Sequence, residues 1–455
     1  MEEKKLVMPV VNSGAAGIDV GSRIHVVAVD QQVENVREFG VYTTDHQRMI
    51  SYFHERGVTT VAMESTGSYW QTLFSALQKA GFEVLLVNGS HVKNVKGKKT
   101  DVLDCLWIQK LHSLGLLHGS FLLNDYLQTL RTYYTHRQHL IRQSSKYINK
   151  MQKALRLMNI RLDVVLNDIT GQSGRAIINA ILSGERNPDK LAALTNNLVK
   201  KSKAEIALAL HGHWRDDLLF ELQSCLLLYD TYEQSIVICD RKMENILADY
   251  HPAEADQVNS ASLKRITKKQ NKYSPGFNVR HLAFAHLKTD LYEIPGVSHN
   301  TVLCILSNLG TDIAKFKTAK QFASWLRLVP NNKISGGRIL SSRTPKGKNV
   351  IALALRQAAN SIGNQKGHSL APFFKRIAFR KGRIAAITAT ARKLAIIIWN
   401  MITKGEPYRE CDYETANKKR KINQLKAIGD RLQKLGVNDD DLKNLWQRIS
   451  LSTPY

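Results

Sequence analysis

The sequence predicts an α/β domain, then a long helical coiled-coil region, and finally a mainly α-helical C-terminal domain. Short apolar runs alternate with helical periodicity up to about residue 123, and from residue 126 apolar residues recur every seventh position. A chain of 455 residues accommodates roughly two to four domains. The predicted segments are 1–124 (α/β domain), 125–250 (coiled-coil helices), 251–286 (linker loop), 287–406 (helical domain) and 407–455 (charged tail).

The first domain is expected to contain a β-hairpin followed by a βαβ unit. Gly21 and Ser22 separate two short strand-like runs, and β-branched or apolar runs further on are typical of buried strands. A stretch with helical spacing ends at Gly81, a plausible C-terminal cap. The predicted strands are 18–20, 25–30, 39–43, 59–63 and 84–87, and the predicted helix is 69–80. This alternation favours an α/β domain.

Two heptad patterns of opposite charge predict an antiparallel helical hairpin. The first pattern includes Leu127, Tyr134 and Ile141, and residues 126–161 hold eight Lys/Arg and no Asp/Glu. The second includes Leu218 and Cys225, and residues 214–250 hold eight acidic and three basic residues. Helices of opposite charge are expected to pair. The alternative is two unrelated core helices; in either case 163–212 reads as a small helical insert.

The charge balance indicates a polyanionic partner. Lys and Arg number 65 against 39 Asp and Glu, a formal charge of +26, which favours nucleic acid over a ribosome-like or membrane-surface role. The longest apolar region, 385–402, is interrupted by Arg392 and Lys393, so no membrane span is expected. The five cysteines lack zinc spacing. A cytoplasmic protein with reduced thiols is the resulting expectation.

Four carboxylates in the first domain are candidates for metal binding. Asp19 lies inside an apolar strand and Glu64 directly follows another. Asp101 and Asp104 lie three residues apart at a predicted helix start, so they share one helix face. If they converge at one sheet edge, their repulsion requires cations, and hard oxygen ligands suit Mg²⁺, singly or as a two-ion site.

A serine in the C-terminal domain lies among cations and glycines. Ser335 precedes Gly336 and Gly337, which permit close backbone approach, and residues 331–348 contain no acid. A serine hydroxyl there could attack phosphorus if activated, although such a segment is commonly a plain loop. The candidate nucleic-acid contacts are Lys96, Lys98, Lys99, Lys333, Arg338, Arg343, Lys346 and Lys348.

These motifs together resemble a known family. The segments 17–21 (GIDVG), 63–67 (MESTG) and 99–104 (KTDVLD) look like the RuvC-like, RNase H-fold domain of the DEDD transposases of the insertion-sequence one-ten family. Pro330, the Ser335-Gly336-Gly337 segment and the 346–349 segment (KGKN) look like that family's second domain. The resemblance implies that Asp19, Glu64, Asp101 and Asp104 bind metal.

The resemblance also implies a mechanism and partners. Ser335 aligns with the nucleophilic serine, with Ser341 and Ser342 as neighbouring competitors. The implied activity is site-specific strand exchange on double-stranded donor and target DNA, with the acids and the serine acting as a split active site. The family works as a dimer of dimers on the bacterial nucleoid, and an element-encoded bridge RNA supplies the sequence guide, so that base pairing reads the DNA.

Two other functions remain open from the residues themselves. One is a RuvC-like, structure-specific DNA endonuclease that uses water as nucleophile and leaves Ser335 idle. The other is a non-enzymatic basic nucleic-acid-binding protein. The acidic quartet argues against the second, because a pure phosphate binder gains nothing from clustered negative charge.

Overall fold

The chain divides into two compact units, Met1–Leu122 and Leu123–Tyr455. The computed structural model describes residues 8–65, 67–89, 100–249, 263, 270–347, 349–365, 370–410, 413–437, 441 and 443. Each unit is described separately below.

The first unit is built on a mixed five-stranded sheet. The strand order is β3-β2-β1-β4-β5. β1 to β3 form an antiparallel meander, and β4 and β5 run parallel to β1. The strands are β1 (Ala15–Val20), β2 (Ile24–Ala28), β3 (Arg37–Gly40), β4 (Thr60–Glu64) and β5 (Glu83–Val87). The predicted hairpin and βαβ unit are therefore present.

Helices cover both faces of this sheet, because successive strand residues point to opposite sides. Ile18 and Met63 belong to the apolar core on the face of α1 and α2, while Ala62 packs with Ile108 of α3 on the other face. The helices are α1 (Thr43–Glu55), α2 (Trp70–Lys79) and α3 (Asp101–Ser113). Sequence periodicity did not predict α1.

The third strand was predicted too far along the chain. Residues 39–43 were expected to form it, but β3 ends at Gly40 because Thr43 already begins α1. The Asp45 carboxylate accepts a hydrogen bond from the Tyr42 backbone N–H at 3.1 Å, which caps the new helix.

The second unit is mainly helical. Between its two longest helices, α4 and α9, the chain forms four short helices in the region of the predicted insert. The first six helices are α4 (Asp125–Leu157), α5 (Leu162–Val165), α6 (Gln172–Leu182), α7 (Pro188–Ala193), α8 (Lys203–Ala209) and α9 (Asp216–Asp249). The others are α10 (Val279–Leu287), α11 (His299–Asn308), α12 (Ala319–Trp325), α13 (Val350–Asn364), α14 (Leu370–Lys381), α15 (Arg383–Lys404) and α16 (Tyr413–Lys434).

α4 and α9 pack side by side as antiparallel helices. Arg137 of α4 pairs with Asp240 of α9, and Ser144, further along α4, donates a 2.8 Å hydrogen bond to Glu233 of α9. Residue numbers rise along α4 while those of their partners fall along α9, so the two helices are antiparallel. The pairing of the two oppositely charged helices was therefore predicted correctly, whereas regular coiled-coil packing stays a prediction.

The structure corrects one predicted segment and adds detail to another. Part of the predicted linker 251–286 is helical, since α10 begins at Val279; most of 251–269 lies outside the described residues. The predicted charged tail 407–455 contains α16 (Tyr413–Lys434), after which Gly436 has a φ of 69°; most of 438–455 lies outside the described residues. Lys and Arg are good helix formers, so the charged 417–421 cluster is compatible with a helix.

One described helix, α15, is long and apolar enough to cross a membrane by length and composition alone. Leu394 and Ile398 are buried within the second unit, and Trp399 donates a 3.1 Å hydrogen bond to the Phe316 carbonyl. The helix thus packs as a core helix of this unit.

The buried Arg137–Asp240 ion pair gives a stability prediction. The Arg137 side chain is fully buried, and its guanidinium also donates to the Tyr273 carbonyl at 3.3 Å. Asp240→Ala leaves a buried cation without its counter-ion, so the free energy of unfolding should fall by about 3–5 kcal/mol in urea denaturation. Lys201→Ala, which breaks an exposed pair with Glu205, should change it by less than about 1 kcal/mol. Equal losses would contradict this prediction.

Candidate active site and nucleic-acid interface

Asp19 and Glu64 lie on the same face of the sheet, on neighbouring strands. β1 and β4 pair in parallel with Gly17 opposite Ala62 and Ile18 opposite Met63. The next register position places Asp19 beside Glu64, and neighbouring strands are about 4.8 Å apart. Both acids lie two residues beyond Gly17 and Ala62, so they share the face that α3 covers.

A close contact between α3 and β1 fixes this arrangement. A Cβ at Gly17 would lie 2.6 Å from the Cys105 carbonyl oxygen and 2.8 Å from the Gln109 Cα. Glycine is therefore required for the α3 backbone to lie directly on the strand. The Gln109 side chain also donates a 3.1 Å hydrogen bond to the Ala15 carbonyl, at the start of β1.

α3 runs opposite to β1 and β4, so its first turn lies at the carboxyl edge of these strands. His112, near the helix end, lies 2.9 Å from the hydroxyl of Thr60, the first residue of β4. The first turn contains Asp101 and Asp104, and the Thr100 hydroxyl caps it by accepting from the Leu103 backbone N–H at 3.3 Å. The acids there also favour the helix dipole.

Asp19 and Asp101 line one cleft of about 240 Å³, together with Gly21, Ser22 and Arg23. The Cys105 thiol, on the inner side of α3, is close enough to the acids for their charges to affect its pKa. Its pKa is raised to about 12, mainly by burial and further by the charges of Asp19 and Asp104. Carboxylates from β1 and from the first turn of α3 are thus close in space.

Glu64 is positioned by Gly89, which lies two residues beyond the end of the neighbouring strand β5. A Cβ at Gly89 would collide with the Glu64 carboxylate, so the glycine leaves the space that the acid occupies. The Ser65 backbone N–H donates to the Val87 carbonyl at 2.9 Å, which extends the β4–β5 pairing past Glu64. These contacts hold Glu64 at the strand end.

The four acids suit a divalent cation in their chemistry. All offer hard carboxylate oxygens at one sheet edge, the ligand type that Mg²⁺ prefers. Within the described part of the chain, no three His, Cys, Asp or Glu side chains lie close enough together to form a metal-binding group. The structure therefore brings the predicted acids to one edge without gathering them into a closed site.

Ser335 lies at the tip of a β-hairpin rather than in a plain loop. β6 (Lys333–Ser335) pairs with β7 (Arg338–Ser341), and Ser335 is in register with Arg338. Gly336 and Gly337 have φ of 53° and 74°, and positive φ at both central residues defines a type I′ turn. The hairpin presents the serine on an exposed and locally regular backbone.

The competing serines occupy other positions. Ser341 is half-buried near the base of the hairpin, where its hydroxyl accepts from the Arg343 backbone N–H at 3.4 Å. Ser342 is exposed and lines the basic groove described below. Of the three, only Ser335 precedes the turn.

The predicted cations divide between the hairpin and segments outside the described residues. Lys333 and Arg338 flank Ser335 on the exposed strands, and Arg343 and Lys346 follow β7. Lys96, Lys98, Lys99 and Lys348 lie outside the described residues.

A large groove, here called the basic groove, lies between the hairpin base, α14 and α15. It encloses about 1060 Å³, and its apolar surfaces include Ile377, Ile384 and Ile396. No acid occurs among the described residues that line it. Its cations are Arg343, Arg376, Arg380, Lys381, Arg392 and Lys393.

Two features of this groove point to an anionic ligand. The Arg392 Nε is buried without a hydrogen-bond partner in the described part of the chain, which is costly unless a ligand supplies an acceptor. Arg376 and Lys393 lie 5.4 and 4.8 Å from the Phe373 ring centroid. The sequence patterns did not single out Phe373; an aromatic residue inside a basic run was the available signal.

The fold and the acids define a class. A mixed five-stranded sheet with acids at its carboxyl edge belongs to the RNase H-like class, which agrees with the DEDD type of the matching family model. Residues 16–160 match that model, described as a transposase, and residues 288–372 match the model of the "Transposase IS116/IS110/IS902 family". The chain belongs to this family, the IS110-type transposases.

Two curated relatives are similar over part of their length. The transposase for insertion sequence element IS1111A of Coxiella burnetii is 30% identical over 121 residues, 26% of this chain and 33% of the relative. The Sinorhizobium fredii protein y4pF/y4sB, also named as a transposase, is 30% identical over 128 residues, 27% of this chain and 33% of the relative. The matched stretch thus spans about a third of each relative.

The close contact at Gly17 gives a prediction for the site. Gly17→Ala adds a methyl group where the α3 backbone lies, so α3 must shift and the free energy of unfolding should fall by about 1–3 kcal/mol in urea denaturation. Gly429→Ala is the control, because its Cβ meets nothing within 4 Å in α16 and helical alanine is favoured. A Gly17→Ala protein as stable as the parent would show that α3 does not need this contact.

Proposed function

We propose that this protein is an insertion-sequence DNA transposase that catalyses site-specific strand exchange with a Mg²⁺-binding acidic site and a serine nucleophile. The observation that carries the proposal is the meeting of Asp19, Glu64 and the first turn of α3 at one sheet edge, in a chain of a transposase family. The exposed hairpin serine and the basic groove supply the remaining parts.

In this proposal Asp19, Glu64, Asp101 and Asp104 hold Mg²⁺. A bound Mg²⁺ would polarise a phosphoryl oxygen and stabilise charge that develops during phosphodiester chemistry. The protein's own contribution is positional: β1 and β4 fix two carboxylates through their register, and the Gly17 contact brings the α3 acids to the same edge.

Ser335 is proposed to be the nucleophile. Its Oγ forms a bond to phosphorus while the bond to one DNA oxygen breaks, and the serine proton passes to the departing DNA hydroxyl. A hydroxyl from the exchanged strand then attacks the serine phosphodiester and frees Ser335, which regains its proton. One phosphodiester replaces another at each step, so exchange needs no external energy source.

The cations are proposed to bind the nucleic-acid backbone. Lys333 and Arg338 flank Ser335 and would hold the phosphate under attack. The basic groove would bind a further stretch, since the Arg392 Nε has no acceptor among the residues that the structure describes and Phe373 offers a stacking surface. Lys96, Lys98, Lys99, Arg343, Lys346 and Lys348 remain proposed contacts on sequence grounds.

The proposed partners are double-stranded donor and target DNA, a bridge RNA and further copies of this chain as a dimer of dimers. Phosphate-binding cations position nucleic acid but do not read sequence, so site specificity requires another source. Guide RNA pairing would supply it. We expect the protein to act in the cytoplasm on nucleoid DNA.

Substitutions at the two sets of residues should have separable effects. Asp19→Asn and Glu64→Gln should lower strand exchange in Mg²⁺ at least a hundredfold while DNA binding is kept, because the basic surfaces are untouched. Ser335→Ala should abolish exchange and the covalent protein–DNA species seen after denaturing electrophoresis. Ser341→Ala and Ser342→Ala are the matched controls and should retain both.

Other outcomes identify the rival functions. DNA cleavage that persists in Ser335→Ala but is lost in Asp19→Asn would indicate a nuclease that uses water. An Asp19→Asn protein with unchanged activity and no Mg²⁺ dependence would indicate a non-enzymatic binder. Either result would end the serine-recombinase proposal.

Nucleic acid that co-purifies with the protein at moderate salt tests the guide. Sequencing should return one discrete RNA, encoded beside the gene, with loops complementary to two DNA sites. The Arg376→Ala, Lys393→Ala double variant should retain less of it, since two groove cations are lost. A random mixture of RNA would contradict guidance by RNA and leave only a general affinity for polyanions.

A further inference from the structure

The turn between α14 and α15 exposes two large apolar side chains. Phe379, in the last turn of α14, is 94% exposed, and Ile384, in the first turn of α15, is 84% exposed. Three cations lie between them, and we call the segment 379–384 (FRKGRI) the helical tip. Exposed apolar side chains that are grouped and rimmed by polar residues are typical of interaction sites.

The helical tip is held in place by the rest of the second unit. α14 ends one residue before Gly382 and α15 begins one residue after it, and Gly382 has a φ of 82°, which favours glycine. The Arg383 guanidinium donates hydrogen bonds of 3.1 and 2.6 Å to Asn360 and of 2.7 Å to Asn364, both in α13. It also lies 5.6 Å from the centroid of the Phe374 ring. Because these contacts fix the tip in advance, it loses little conformational freedom when it binds a ligand.

The three phenylalanines of α14 differ in how much of the ring they leave free. Phe374 is buried against α13, where a Cβ at Gly363 would lie 2.5 Å from its ring. The Phe373 ring is half-buried and lies beside two cations of the basic groove. Phe379 is the one of the three that presents its ring to solvent. Its ring is therefore available to a ligand, whereas the other two serve the packing of the helix and the groove.

The charge around the helical tip indicates the class of ligand. Residues 313–405 contain 19 Lys and Arg and no Asp or Glu. Arg380, Lys381 and Ile384 also line the basic groove, so the tip continues the cationic surface of the groove. A polyanion is the partner that this charge attracts, and nucleic acid combines phosphates with flat aromatic rings.

The chemistry of the phenyl ring selects the form of the nucleic acid. A phenyl ring neither donates nor accepts a conventional hydrogen bond, so it gains most from contact with the face of a base. In an intact duplex the base faces are covered by the neighbouring base pairs. They become accessible where a strand is unpaired or a base step is opened. Strand exchange creates such positions, because strands must separate from one partner before they pair with another.

We propose that Phe379 stacks on an unpaired DNA base at the edge of an opened duplex, while Arg380 and Lys381 bind the phosphates beside it. Apolar side chains that insert between base steps hold DNA open in this way. The inference rests on DNA as the substrate in the proposed function, and it adds the form of DNA that the helical tip recognises.

The test compares two forms of DNA. Full-length protein, freed of co-purifying nucleic acid in high salt, is titrated at moderate salt with a forked DNA and with a fully paired duplex. Phe379→Ala should weaken binding to the fork about 5- to 100-fold, the loss expected for one stacked base, and should leave duplex binding within about twofold. Phe379→Trp should restore binding to the fork. Phe220→Ala is the matched control, because Phe220 is 71% exposed on α9, and it should change neither affinity.

Three outcomes would overturn the proposal. The first is a Phe379→Ala protein that binds the fork as tightly as the parent. The second is an equal loss on the fork and on the duplex, which would indicate a backbone contact or a folding defect. The third is a loss confined to a forked RNA of the same sequence, which would assign the ring to RNA.

These results are separate from those for strand exchange, since both DNA forms are bound without Mg²⁺ and neither is cut. Loss of fork binding in Phe379→Ala, with duplex binding kept, supports the inference even if Ser335→Ala proves active. Unchanged fork binding overturns it even if the acids and Ser335 are confirmed as catalytic.

Discussion

The contact between Gly17 and the α3 backbone is the constraint on which the candidate site depends. A helix that lies directly on a strand cannot tolerate a side chain at the crossing point, so one missing Cβ sets the depth of α3. The hydrogen bond from Gln109 to Ala15 and the contact of His112 with Thr60 then fix the direction of the helix. With the depth and the direction of α3 both fixed, its first turn must lie beside the carboxyl ends of β1 and β4.

Like charges gathered at a sheet edge repel one another, and the surrounding chain offsets this in different ways for different acids. Asp101 and Asp104 occupy a helix N-terminus, where the dipole favours negative charge. Glu64 lies against the backbone at Gly89, which supplies space but no counter-charge. The arrangement is therefore one in which a cation would relieve the most repulsion near the strand ends, where Asp19 and Glu64 are neighbours.

Much of the fold could be predicted from the sequence, wherever buried residues recur with the period of a strand or helix. Apolar runs predicted β1, β4 and β5, and the two heptad patterns predicted that α4 and α9 pair with each other. The hairpin around Ser335 could not be predicted in this way, because its strands are short, exposed and rich in cations. Its only local signal was the Gly336-Gly337 pair, which suits a type I′ turn. The burial of Arg137 could not be predicted either, since a basic residue on a basic helix gives no sign that it will be fully buried against Asp240.

The distribution of charge explains how one chain can combine an acidic site with a net charge of +26. A polyanion within about a Debye length of a basic protein is attracted by the summed field of many cations, whereas a few carboxylates repel it only where it lies next to them. The acids are confined to one edge of the first unit's sheet, while the hairpin and basic groove of the second unit carry cations without acids among their described lining residues. Attraction therefore depends on many residues and chemistry on a few. Neutralising one acid should spare binding for this reason, and a single lost cation should be tolerated by the rest.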